Sequence, residues 1–120
     1  MRCLLDTQIL IWWFDSSPKL SSEFKDFIES SDDKFVSVIS FWEIMIKMKL
    51  GKLRLKKSID FILGHMEFKI LDVNLEHVLA IGELPNIHKD PFDRMLIAQT
   101  MVEDLILLTA DRKIKKYFRD

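Results

Sequence analysis

A chain of 120 residues, 48% hydrophobic and 31% charged, has the composition of one soluble globular domain with enough apolar material for a real core, read here as a single unit over residues 1–120. No apolar run approaches the roughly 20 residues that a membrane span requires, and Asp6 interrupts the N-terminal apolar stretch before it reaches the length of a secretion signal. A net charge of −1 gives bulk electrostatics no preferred partner, and the single cysteine, Cys3, rules out an internal disulfide and fits a reducing cytoplasm.

In chain order, "RCLL" (2–5) reads as a short strand stopped by Asp6-Thr7, and "QILIWWF" continues with helical character. "PKLSSEFKDFIES" (18–30) puts Leu20, Phe24, Phe27 and Ile28 on one face of an amphipathic helix. "KFVSV" (34–38) reads as a strand, followed by a helix from Ser40 through Leu50 that Gly51 ends. "SIDFILGHM" is a shorter helix, "FKILDV" (68–73) a strand, and "LEHVLAIGEL" a helix broken by Pro85-Asn86. Asp90 ahead of Pro91 suits a helix cap followed by a first-turn proline, and the helix they open runs to about Glu103. "LILLT" (105–109) is a buried strand, and a last helix begins near Asp111. Apolar strands alternating with helices predict crossover units, hence a three-layer α/β/α domain around a short central parallel sheet. Four strands are few for such a sheet, and a last one is expected after residue 118.

Ligands of such sheets gather at the carboxyl ends of the strands. That rule brings together Asp6, ending the first strand; Glu43, placed on the first turn of the helix after "KFVSV"; Asp90 and Asp93, opening a later helix; and Asp111, just past "LILLT". Each also has a local explanation. Asp6 and Asp111 suit helix caps, Ser40 and Glu43 match the S-x-x-E capping box, and Asp93 suits a helix dipole. Together, however, gathered carboxylates repel one another and need a counter-charge. Arg94 and Arg112 are candidates, and a hard divalent cation with oxygen ligands is the stronger one.

Other chemistries have less support. His65, His77 and His88 lack zinc-ligand spacing and read as surface or helix residues, and three glycines form no phosphate-cradling loop. Trp12, Trp13, Phe41 and Trp42 read as core, with any exposed members suited to a partner groove. Basic residues crowd two stretches, Lys47, Lys49, Lys52, Arg54, Lys56 and Lys57, then Arg112, Lys113, Lys115, Lys116 and Arg119. Each run fits either a solvated face or a phosphate-tracking surface.

"LLDTQILIWW", "VSVISFWEIMIKMKLGKL" and "HKDPFDRMLIAQT…LILLTADRKIKKY" together resemble PIN-domain ribonucleases, and among them the VapC-type toxins of bacterial type II toxin–antitoxin pairs. The resemblance spans nearly the whole chain. It implies that Asp6, Glu43, Asp93 and Asp111 are the metal-holding catalytic acids, with Thr7 and Thr109 as neighbouring hydroxyls. It further implies an Mg²⁺- or Mn²⁺-dependent endoribonuclease in which a metal-activated water cleaves RNA to leave a 5′-phosphate and a 3′-hydroxyl. A homodimer and a small antitoxin partner are implied in the same way. Lys52, Arg54 and Lys56 would then track the RNA backbone. Gln8 departs from the histidine of many members, which touches the rim and not the acids. Two alternatives stay open: a catalytically idle PIN scaffold that binds RNA or protein, and a receiver-like Mg²⁺-binding domain with Asp72 as phosphoacceptor.

Overall fold

In β1 (Arg2–Leu5), Cys3, Leu4 and Leu5 are all fully buried. Successive strand residues point to opposite faces, so such a run requires both faces to be covered. Cys3 and Leu5 pack on one side with Ile9, Leu20, Ile28 and Leu108, and Leu4 packs on the other with Ile39, Met95, Leu96 and Leu105. Three layers follow directly from that alternation.

The computed structural model describes residues 1–118. Its sheet has β2 (Asp33–Ser37), β3 (Lys69–Leu71) and β4 (Ile106–Leu108) besides β1, in the order β3-β2-β1-β4, with every pairing parallel. The helices are α1 (Thr7–Phe14), α2 (Ser22–Ser30), α3 (Val38–Lys49), α4 (Ile59–His65), α5 (Leu75–Ile81), α6 (Pro91–Glu103) and α7 (Arg112–Lys115), with a 3-10 turn over Lys116–Phe118. The α/β/α architecture expected from the sequence is borne out. A strand after residue 118 would lie outside the described residues, as does Arg119 of the second basic run.

Register aligns the strand ends. Leu5 sits opposite Val36 on one side and Leu108 on the other, so β1 and β4 finish level and β2 runs one residue further, to Ser37. The Asp6 amide still donates to the Leu108 carbonyl at 3.0 Å, which carries the alignment one residue past the strand. Helix α6 enters beneath this edge with Met95 to Thr100 buried without interruption, as expected of a helix enclosed on all sides.

Several boundaries differ from the sequence-based expectation. Helix α3 starts at Val38, because Ser37 rather than Ser40 is its cap, its hydroxyl accepting from the Ile39 amide at 3.1 Å. Ser37 still has extended backbone at the strand's end (φ −77°, ψ 146°), the conformation a cap requires. Ser40 therefore lies inside the helix, buried, where its Oγ accepts from Thr7 Oγ1 at 2.9 Å. No Ser40–Glu43 capping box exists, and Glu43 sits in the second turn instead of the first. Helix α2 is shorter than read, beginning at Ser22 behind a Ser21 cap, with Leu20 buried ahead of it. Trp12 and Trp13 pack on the core as expected, whereas Trp42 is 59% exposed with its ring edge-on to Phe92.

Candidate metal centre

Asp6 leaves β1 and turns the chain into α1, with Oδ1 accepting from the Ile9 amide at 2.8 Å. It is 5% exposed. Burial pushes its pKa up to about 6, against the hydrogen bonds from Thr109 and Ile9, and the charges of Asp111 and Glu43 push the same way.

Glu43 projects from the second turn of α3 and is also buried. Its Oε2 accepts from Lys47 Nζ at 2.7 Å, one turn further along the same helix. Its Oε1 is buried with no hydrogen-bond partner among the described residues. An unpaired buried carboxylate oxygen is costly unless something electropositive is meant to meet it.

Asp90 and Asp93 divide their work as their positions suggest. Asp90 Oδ1 accepts from the Asp93 amide at 3.0 Å and caps α6, with Pro91 next. Asp93 is in the first turn, and its pKa is pushed up to about 7. Burial is the main cause, the charge of Asp90 adds to it, the charge of His88 opposes it, and Glu43 and Asp6 contribute further upward pressure. Asp111 caps α7, with Oδ1 accepting from the Lys113 amide at 2.7 Å and the Ile114 amide at 3.3 Å. Burial acts upward on Asp111, but these amides together with His88 hold its pKa below the ordinary value.

Asp6, Glu43, Asp93 and Asp111 line one open cavity of about 360 Å³ together with Thr7, Lys47 and Asp90. The four acids read from the sequence thus meet at the carboxyl edge of the sheet. Thr109 is buried beside them and accepts from the Asp111 amide at 3.0 Å.

The counter-charges are not those expected. Arg94 turns away from the acids, its guanidinium donating to the carbonyls of Ile81, Pro85 and His88 and to Tyr117 Oη. Lys47 and His88 stand at the site instead, Lys47 on Glu43 and His88 Nε2 3.0 Å from Asp93 Oδ2. His88, Asp93 and Asp111 each offer a ligand atom within 4.8 Å of the others. The i,i+4 spacing of Glu43 and Lys47 was a readable signal for the first; His88, on a loop without periodicity, gave none. Lys52, Arg54 and Lys56 are exposed and do not line the cavity. The Lys56 ammonium donates to the Asp15 carbonyl at 3.3 Å. Asp72 is exposed beyond β3 and does not line the cavity either, which leaves the receiver-like alternative without a site.

The donor set fits a hard divalent cation: carboxylate oxygens, more acids than nearby bases, and one buried oxygen left unpaired.

Comparison with known proteins agrees with the fold. A curated relative, Ribonuclease VapC22 of Mycobacterium tuberculosis, is 24% identical over 125 residues, covering 95% of this chain and 90% of the relative. Among solved structures, the crystal structure of VapBC2 from Rickettsia felis bound to a DNA fragment from their promoter matches with a TM-score of 0.70 at 17% identity, covering 98% of this chain and 93% of that one. DNA-bound VapBC from Salmonella typhimurium matches with a TM-score of 0.70 at 16% identity, covering 96% and 91%. A toxin–antitoxin complex from Klebsiella pneumoniae matches with a TM-score of 0.63 at 21% identity, covering 91% and 86%. The PIN domain family model matches residues 3–119, and the chain belongs to the PIN-domain family.

Proposed function

We propose that the chain is a divalent-metal-dependent endoribonuclease and the toxin member of a VapBC-type toxin–antitoxin pair. The observation that carries the metal site is the buried, unpaired Glu43 Oε1 in a cavity lined by Asp6, Asp93 and Asp111. Asp6, Glu43 and Asp93 would hold the main ion, Mg²⁺ or Mn²⁺, and Asp111 would help to hold a second ion or a water. A bound cation would neutralise the gathered acids, polarise the scissile phosphodiester and lower the pKa of the attacking water. RNA as substrate, a protein antitoxin as partner and a homodimeric assembly are proposed by analogy with the ribonuclease and the toxin–antitoxin complexes that the chain is similar to. A cytoplasmic location suits that role, and no helix among the described residues is long and apolar enough to cross a membrane.

The protein's own groups have separable tasks. Asp90 holds the start of α6, so that Asp93 lines the cavity with its carboxylate beside His88. Lys47 balances the charge of Glu43 and lines the same cavity, where its ammonium is placed to meet a substrate phosphate.

Cleavage of a single-stranded RNA by chelator-treated protein, with and without added Mg²⁺ or Mn²⁺, tests the proposal. The native protein should cleave only with the ion, leaving 5′-phosphate ends. Asp93→Asn should fold and lose nearly all cleavage. Asp90→Ala should lose about 0.5 to 2 kcal/mol of stability, as for other helix caps, and retain much of its turnover. Cleavage that persists in chelator, or in Asp93→Asn, contradicts the proposal; a folded but inactive Asp90→Ala beside an active Asp93→Asn reverses the assignment.

A further inference from the structure

His88 lies on the segment between α5 and α6, and its main chain is tied on both sides. Its amide donates to Tyr117 Oη at 2.8 Å, and its carbonyl accepts from Arg94 at 3.1 Å. Arg94 also reaches the carbonyls of Pro85 at 3.1 Å and Ile81 at 3.2 Å, and Tyr117 Oη donates to Pro85 at 2.9 Å. A guanidinium and a phenol so engaged hold the segment without touching the acids.

The ring is oriented too. Nδ1 accepts from the Asp90 amide at 3.2 Å, so in the neutral ring the proton resides on Nε2. Nε2 donates to Asp111 Oδ2 at 3.3 Å and lies 3.0 Å from Asp93 Oδ2, with the side chain only 13% exposed. Asp93 belongs to the first turn of α6 and Asp111 to the cap of α7, so no single element fixes their separation. Two carboxylates this close would drift apart without a donor between them.

We propose that His88 is a positioning residue that sets the spacing of Asp93 and Asp111 toward a bound divalent cation, by the Nε2 hydrogen bond to Asp111 and the close polar contact with Asp93, and not by coordination. This rests on the metal-site reading given above. Coordination through Nε2 would require the proton to move to Nδ1, and the bond from the Asp90 amide would be lost. Groups that orient carboxylate ligands in this way typically contribute 10- to 100-fold to metal affinity.

Titration calorimetry of Mn²⁺ into chelator-stripped native protein, His88→Ala, His88→Gln and Asp93→Asn tests this, beside the metal-free melting temperature of each. His88→Ala is expected to bind Mn²⁺ about 10- to 100-fold more weakly with little change in metal-free melting. His88→Gln, whose side-chain amide can donate from nearly the same place, should recover most of the affinity. Native affinity in His88→Ala beside a weakened Asp93→Asn overturns the role of His88 and leaves the metal site standing. Equal weakening in the Ala and Gln variants, with lowered metal-free melting, assigns His88 to loop structure alone and also overturns it. So does a directly bound nitrogen in the pulsed electron paramagnetic resonance of the native Mn²⁺ complex. Absent Mn²⁺ binding in the native protein, or full binding in Asp93→Asn, defeats the metal site and this inference with it.

Discussion

Asp6 and Asp93 keep their protons to higher pH than exposed carboxylates do. Their pKa values stand at about 6 and about 7, raised chiefly by burial from an ordinary value of 3.8. In the interval above that ordinary value, the folded chain binds protons that the unfolded chain has lost. Native stability must then fall as pH rises through that window. In the presence of chelator, the melting temperature should therefore drop between about pH 4 and pH 7 more steeply for the native protein than for Asp93→Asn. Saturating Mn²⁺ should oppose the trend, because a cation favours the ionised acids. Identical pH profiles for the two metal-free proteins would show that Asp93 does not carry this linkage. At this scale the sequence was most informative about local tasks. Asp6, Asp90 and Asp111 were each readable as caps, because a cap depends only on the next three residues. His88 was not, since its partners lie two, five and 23 residues away and only the fold brings the last two together.

The elements were legible in kind and order but less so in their ends. Ser37 and Ser40 both precede apolar helical sequence. What decides between them is that Ser37 is still extended at the end of β2, a fact set by strand pairing. The first basic run divides in the same way. Lys47 falls on the face of α3 that bears Glu43 and turns into the cavity, whereas Lys52, Arg54 and Lys56 follow the helix and stay at the surface. Lys56 also ties its loop to the end of α1 through Asp15. If this loop tracks the RNA backbone, replacing Lys52, Arg54 and Lys56 together by glutamine should weaken RNA binding. The salt slope should also fall by about 0.7 for each single-strand phosphate that is no longer neutralised. Filter binding at several salt concentrations, in an Asp93→Asn background that prevents cleavage, measures both quantities. An unchanged affinity and slope would make the run a solvated face.

On the scale of the molecule, the parallel sheet makes the site out of distant parts of the chain. Leu5, Val36 and Leu108 lie level across the sheet, Asp6, Glu43 and Asp111 come from the segments that follow their strands, and the start of α6, ahead of β4, brings Asp93 to the same cavity. Such a site can exist only in the folded state, so cation binding must appear as native stability. The measurement that tests this most directly is the melting temperature of chelator-stripped protein as Mn²⁺ or Mg²⁺ is added. At a hundredfold excess of ion over its dissociation constant, the gain should be about 2.7 kcal/mol, a rise of several degrees for a domain of this size. Glu43→Gln, which replaces the carboxylate bearing the unpaired buried oxygen, should lose most of that gain. A folded native protein whose melting temperature does not move with either ion, or a Glu43→Gln variant that gains as much as the native protein, would contradict the account.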